Sequence, residues 1–398
     1  MLIKYLLLYT CLVLTISTQA QEVYEKGKIL DSIPVSGTTD ESFALYIPNG
    51  FKENELSSIV FIFEPAARSV IGIRPFIPAA EKYNHILVCS NNSRNSSYDR
   101  NFGIANNLFA HIFSHFNIKE DEMYLSGFSG GSRVACAIAS LSNQFAGVVA
   151  CGAGFPSVPD YKPSIQKYAY VGLVGDRDMN YKEMLKNKDF LQFLKFNNTL
   201  ITYKGEHSWP APEQISQAFD WLYLQKLKKA PSKEADEIKN LYLKAYKRIE
   251  EFKARNELLR ASEQYERTIK TFQDFVSLDT LMQQHQKLLA TKAYKKQATS
   301  FSNVLKQEEK IANKLKSRMT SDFENPKETN FGWWEKELAK LDVLEEKGDT
   351  NTKDMVYRIK FDVFARAYSR KNTLLYEENP EQTALAEQFI KLVYPKTE

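Results

Sequence analysis

Between residues 42 and 203, short runs rich in β-branched and aromatic residues recur at 42–47, 59–63, 86–90, 123–126, 148–151, 168–174 and 200–203. Amphipathic stretches such as 102–116 lie between them. Antiparallel neighbours can be joined by a two-residue turn, but parallel ones need a crossover of a dozen residues or more, usually a helix. The spacing is of the second kind, so the pattern predicts an α/β fold, a mostly parallel sheet flanked by helices. The amphipathic stretch 212–227 is expected to close it.

That pattern stops near residue 230. Fourteen of the 16 glycines and 10 of the 14 prolines precede it, and charged residues number 43 in the first 230 positions but 59 in the remaining 168. The second part reads as helices over 233–275, 279–320, 331–346, 352–373 and 380–393, punctuated by Asn325-Pro326, Gly348 and Asn379-Pro380. Its paired helices, with Ala365, Ala367, Tyr368, Ala386 and Phe389 at packing positions, resemble tetratricopeptide-type repeats. The expected division is a targeting segment at 1–20, an α/β domain at 21–230 and an all-α, repeat-like domain at 231–398.

The targeting segment has a short basic start ending at Lys4, an apolar run at 5–16, and Ser17-Thr18-Gln19-Ala20 before an expected cut after Ala20. The run is shorter than the roughly 20 residues that span a bilayer. Export to the periplasm or the exterior is therefore expected, with no membrane span once the segment is removed. Three cysteines then remain, Cys89, Cys136 and Cys151, each in an apolar context that suits a buried free thiol rather than a bridge. A balance of 53 basic against 49 acidic residues, net +4, gives no reason to expect nucleic acid as a partner.

The chemistry is concentrated in one strand–turn–helix. Tyr124-Leu125-Ser126 closes a strand, Gly127-Phe128-Ser129-Gly130-Gly131 follows, and residues 132–141 have the small-residue pattern of a packed helix. Glycines two residues either side of a serine are needed where strand and helix backbones crowd the turn, and the strained geometry lifts the hydroxyl above the sheet edge. A serine needs a base to become a nucleophile. Downstream, one apolar strand runs into Gly175-Asp176-Arg177-Asp178, with two candidate carboxylates, and another into Gly205-Glu206-His207-Ser208-Trp209-Pro210. The order Ser, Asp, His is that of α/β-hydrolases. Of the other histidines, His111 and His115 are at metal-ligand spacing on one helix without an accompanying glutamate motif, and are read as structural. His85 and His285 are read as solvated or capping residues.

On these motifs, residues 24 to about 226 resemble the α/β-hydrolase superfamily, and within it the secreted polyhydroxybutyrate depolymerase, feruloyl esterase and dienelactone-hydrolase-like groups. The resemblance implies Ser129 as nucleophile, His207 as base and Asp178, last residue of G-x-x-D, as the acid, with Asp176 the fallback. It implies no metal and no organic cofactor. Where such families carry His-Gly after the third strand, this chain has Glu64-Pro65-Ala66-Ala67-Arg68. Proline has no N–H, so the oxyanion donors are expected to be the amides of Ala66 and Gly130. Glu64 and Arg68 either shape the pocket or pair with each other on the loop, the pairing being the preferred reading.

The function implied is an exported serine hydrolase acting on a carboxylic ester, such as an acylated glycan or a small aryl ester. The helical part would supply a substrate or protein-partner surface. A serine peptidase or amidase, and a non-catalytic interaction protein on a hydrolase fold, are the alternatives.

Overall fold

A computed structural model describes residues 24–229, 234–377 and 379–394. The expected targeting segment at 1–20 and the expected boundary at 230 lie outside the described residues. In chain order the elements are β1 (Ile29–Pro34), β2 (Ser42–Tyr46), β3 (Ser57–Phe63), α1 (Ser69–Ile73), α2 (Ile77–Tyr83), β4 (His85–Ser90), α3 (Tyr98–His115), β5 (Ile118–Phe128), α4 (Gly130–Leu141), β6 (Gly147–Cys151), β7 (Ala169–Gly175), α5 (Tyr181–Phe193), β8 (Asn198–Tyr203) and α6 (Pro212–Lys229). Seven further helices follow, α7 (Ala235–Ala254), α8 (Leu258–Phe272), α9 (Asp279–Ala290), α10 (Lys292–Glu324), α11 (Phe331–Lys347), α12 (Thr350–Glu377) and α13 (Pro380–Val393).

The strands form a single sheet in the order β1-β2-β4-β3-β5-β6-β7-β8, antiparallel at β1–β2 and β2–β4 and parallel from β4 onward. Strands buried on both faces read as continuous apolar runs, and β3, β4, β6 and β7 are buried at every position. Their side chains alternate between two cores. Ile59, Phe61 and Phe63 face the layer of α3, α4 and α5, whereas Val60 and Ile62 face α1, α2 and α6 through Ile73, Ala80, Ile215 and Phe219. Each such buried side chain contributes roughly 1.5–3 kcal/mol. Strand β1 escaped the sequence reading because it is a partly exposed edge strand, interrupted by a bulge between Leu30 and Ile33 with Ser32 at φ 57°.

The helical half builds two cores of its own. One joins the end of α6 (Leu224, Leu227) to Leu241, Ile249, Ala261, Tyr265 and Phe272, so it is continuous with the last helix of the α/β part. The other gathers Met319, Trp334, Ile359, Val363, Ala386 and Phe389, where Trp334 donates its indole N–H to Asp322 at 2.7 Å. The stretches read as single helices over 233–275 and 279–320 are each broken. Asn256, at φ 56°, takes the left-handed conformation that asparagine tolerates between α7 and α8. Thr291 caps α10 by accepting from the Tyr294 amide.

Polar contacts knit the halves together. Glu263 of α8 accepts from the amide and hydroxyl of Thr202, Arg267 donates to the Leu200 carbonyl, and Lys182 donates to the Leu305 carbonyl of α10. Lys244 of α7 pairs with Asp220 of α6 at 2.8 Å. Phe301 and Leu305 pack on the α/β core itself.

Candidate functional site

Ser129 stands between the end of β5 and the start of α4, with φ 51° and ψ −119°. A non-glycine residue pays for that conformation and persists in it only where the surroundings impose it. Here they do, because the two backbones come too close for side chains. A Cβ on Gly127 would sit 2.5 Å from the Gly131 carbonyl, and one on Gly131 only 2.0 Å from the Phe63 carbonyl oxygen. The Ser129 amide donates to the Cys151 carbonyl at 2.9 Å, tying the turn to the neighbouring strand. Ser129 is half-buried.

His207 reaches this hydroxyl from the loop after β8, with Nε2 2.9 Å from Ser129 Oγ. Its Nδ1 is 2.9 Å from Oδ2 of Asp178, from the loop after β7. The Asp178 carboxylate is fully buried, and its other oxygen accepts from the Asn180 amide at 2.8 Å. The structure thus brings Ser129, His207 and Asp178 into one hydrogen-bonded chain. Asp176 is elsewhere, for its carboxylate accepts from the Gly205 amide at 3.1 Å and from Arg260 of α8. Of the two aspartates it is Asp178, the one the resemblance implies, that faces His207. The Phe128 ring lies 4.7 Å from the imidazole and 5.4 Å from the Trp209 ring, tilted to both, while Phe361 of α12 lies 5.9 Å from the imidazole on the helical side.

The oxyanion side differs from expectation at Ala66. Glu64 is wholly buried, and a buried carboxylate must be matched by donors. It takes them from its own loop, accepting the Ala66 amide at 2.7 Å, the Arg68 amide at 3.0 Å and the Arg68 guanidinium at 2.5 Å. The Arg68 guanidinium is held charged above its ordinary range by that partner. The Ala66 N–H is therefore already donated and is not a free oxyanion donor in this structure. Gly130 is the first residue of α4, where amides lack partners within the helix and the dipole favours negative charge. Beside it stands a residue that sequence reasoning missed. The Asn95 carboxamide packs so closely on Gly130 that a Cβ there would meet Oδ1 at 1.8 Å. Its loop is fixed by the Asn95 amide donating to the Pro65 carbonyl at 2.8 Å and by the Ala66–Arg94 bridge.

The other histidines and the described cysteines lie outside this hydrogen-bonded chain. His85 is buried rather than solvated, its Nδ1 2.5 Å from Ser58 Oγ and its ring against Tyr83, Tyr124 and Phe219; burial pushes its pKa down to about 3. His285 is also buried, with Nε2 2.9 Å from Ser262 Oγ and its ring stacked on Tyr265. Both readings failed because a neutral imidazole packs well once one ring nitrogen finds a hydroxyl. His111 and His115 stack on each other at 4.1 Å. Cys89, Cys136 and Cys151 are buried free thiols, pushed up by burial. Among the described residues, no group of three histidine, cysteine or acidic side chains is placed to hold a metal ion, and no helix is long and apolar enough to cross a membrane.

No family model and no curated protein matches the chain. Solved structures similar to it include an S-formylglutathione hydrolase from Staphylococcus aureus, at 14% identity over 50% of this chain and 98% of that one, TM-score 0.43. A feruloyl esterase module from Clostridium thermocellum is similar at 14% identity over 50% and 87%, TM-score 0.40. A dienelactone hydrolase from Anabaena variabilis is similar at 17% identity over 49% and 97%, TM-score 0.37. By its own strand order, its helix layers and the strand–turn–helix at Ser129, the first half of the chain has the α/β-hydrolase fold, and an all-helical region follows it.

Proposed function

We propose that this protein is a serine hydrolase that cleaves carboxylic esters through Ser129, His207 and Asp178. The observation that carries the reading is the hydrogen-bonded chain from buried Asp178 through His207 to a strained, accessible Ser129. In this reading His207 Nε2 takes the Ser129 proton as Oγ attacks the ester carbonyl, and Asp178 holds the imidazole in the tautomer that presents Nε2 as acceptor. The tetrahedral oxyanion forms at the N-terminus of α4, where the Gly130 amide meets it and Nδ2 of Asn95, whose Oδ1 is the atom packed against Gly130, supplies the second donor in place of Ala66. His207 then returns the proton to the departing alcohol, and a water repeats the sequence on the acyl-enzyme.

Phe128 and Phe361 lie against His207 with Trp209 beside Phe128, and Tyr357, Phe361, Phe364 and Tyr368 run along one side of α12 as a ladder of rings 5.7–6.0 Å apart. Such a surface suits an ester with a ring close to the scissile bond, such as an aryl ester or an acylated sugar. Export, supported by the basic start and apolar run before Ala20, is part of the same reading. The test is hydrolysis of short-chain aryl esters by the wild type and Ser129→Ala. Activity should vanish in the variant while stability stays within about 1 kcal/mol, as for a small side chain outside the core. Undiminished hydrolysis by the variant would exclude Ser129 as nucleophile.

A further inference from the structure

The loop that carries Asp178 is held from outside the α/β part. Asp176, two residues before Asp178, receives a hydrogen bond on its main-chain carbonyl from Arg358 of α12 and another on its carboxylate from Arg260 of α8. Arg358 is almost wholly buried, and the rest of its guanidinium is fixed by Glu308 of α10, which accepts from Nε at 3.0 Å and from Nη2 at 2.5 Å. Its planar face lies over the Tyr181 ring, directly after the loop. Arg177, between the two aspartates, lies 3.9 Å from the Tyr357 ring of α12 and pairs with Glu206, the neighbour of His207, at 3.3 Å. Two helices of the second half, α8 and α12, therefore contact residues 176 and 177, α10 braces Arg358 from behind through Glu308, and Arg177 itself reaches across to the histidine loop.

A buried guanidinium is a costly device for merely joining two surfaces, since apolar packing does that at least as well. Its rigid fork does something apolar packing does not, fixing a carbonyl in direction as well as distance. Small misplacements of a catalytic group cost large factors in rate. We infer that Arg358, oriented by Glu308 and assisted by Arg260, is a positioning residue that holds the 175–178 loop so that Asp178 meets His207, and that the helical half is thereby part of the active site's support rather than an independent appendage. The inference rests on the serine-hydrolase reading above for its catalytic consequence, but the loop-holding itself is measurable without it.

The test uses the full chain and a variant that removes both buried charges, Arg358→Met with Glu308→Gln, because Arg358→Met alone would strand Glu308. Two measurements are made, backbone hydrogen exchange over the peptide containing 175–178, and kcat and KM for p-nitrophenyl acetate. The double variant should keep the wild-type circular dichroism spectrum, exchange at least 10-fold faster in that peptide with the β3–β5 strands unchanged, and lose roughly 10–100-fold in kcat with KM within about two-fold. Arg358→Lys, which keeps a charge for Glu308 but not the fork, should fall between. Wild-type exchange in a folded double variant would overturn the inference, as would faster exchange with unchanged kcat. Faster exchange in a protein whose wild type hydrolyses no ester would instead leave the loop-holding in place and count against the hydrolase reading.

Discussion

Asp354 lies near the start of α12, partly buried beside Asp176, with Arg358, Arg177 and Arg260 around it. Burial first, and then the Asp176 carboxylate, push its pKa up to about 6 from an ordinary 3.8, against the pull of the three arginines. A carboxyl whose folded-state pKa is raised binds its proton more tightly in the folded protein than in the unfolded chain. Stability must therefore fall as pH rises from about 4 to about 6, and the penalty is complete above that window. The whole difference corresponds to at most about 3 kcal/mol, at ~1.36 kcal/mol per pH unit. Solvent contact at this site reduces it to on the order of 1–2 kcal/mol. Asp354→Asn removes the ionisation and keeps the shape. In urea unfolding followed by circular dichroism, the variant should match the wild type at pH 4, gain through pH 5 and 6, and remain more stable by that amount at pH 8. A difference that is constant with pH, or a variant less stable at pH 8, would refute the reasoning, the latter by showing that the arginines favour the ionised form.

Two further outcomes concern the site. Asp178→Asn should lower kcat by on the order of 10⁴, as loss of a triad acid does, whereas Asp176→Asn should cost far less, because its carboxylate faces Arg260 and Gly205 rather than His207; steady-state hydrolysis of an aryl ester decides, and the reverse order would move the acid to Asp176. Asn95→Ala should lower kcat by about 10²–10³ with little change in KM, the signature of a donor used in the transition state. An unchanged kcat would remove Asn95 from the oxyanion site.

What the sequence made legible was local. The turn around Ser129 could be read because the crowding that makes Gly127 necessary acts within four residues, although Gly131 is required by the distant Phe63 carbonyl of β3, and the parallel sheet because β3, β4, β6 and β7 are buried throughout. What was illegible depended on distant partners. The motif singled out Asp178, but what Asp176 does instead could not be read, because its partner Arg260 lies 84 positions away. Phe361 and Arg358 look like ordinary positions of a charged helix until α12 packs over the loops that follow β7 and β8. Ala66 is a different case, since Glu64 lies only two residues before it. A carboxylate at the end of a buried strand has to collect nearby donors, and the backbone amides that follow it are the nearest.

The most direct test of the account is labelling by a fluorophosphonate, which reacts with a serine only when that serine is activated. The wild-type chain should take up one equivalent, located by mass spectrometry on the peptide containing Ser129, and Ser129→Ala should take up none. A wild type that is folded and unlabelled, or a Ser129→Ala variant labelled at the wild-type rate, would contradict the proposal that Asp178, His207 and Ser129 form a working hydrolase.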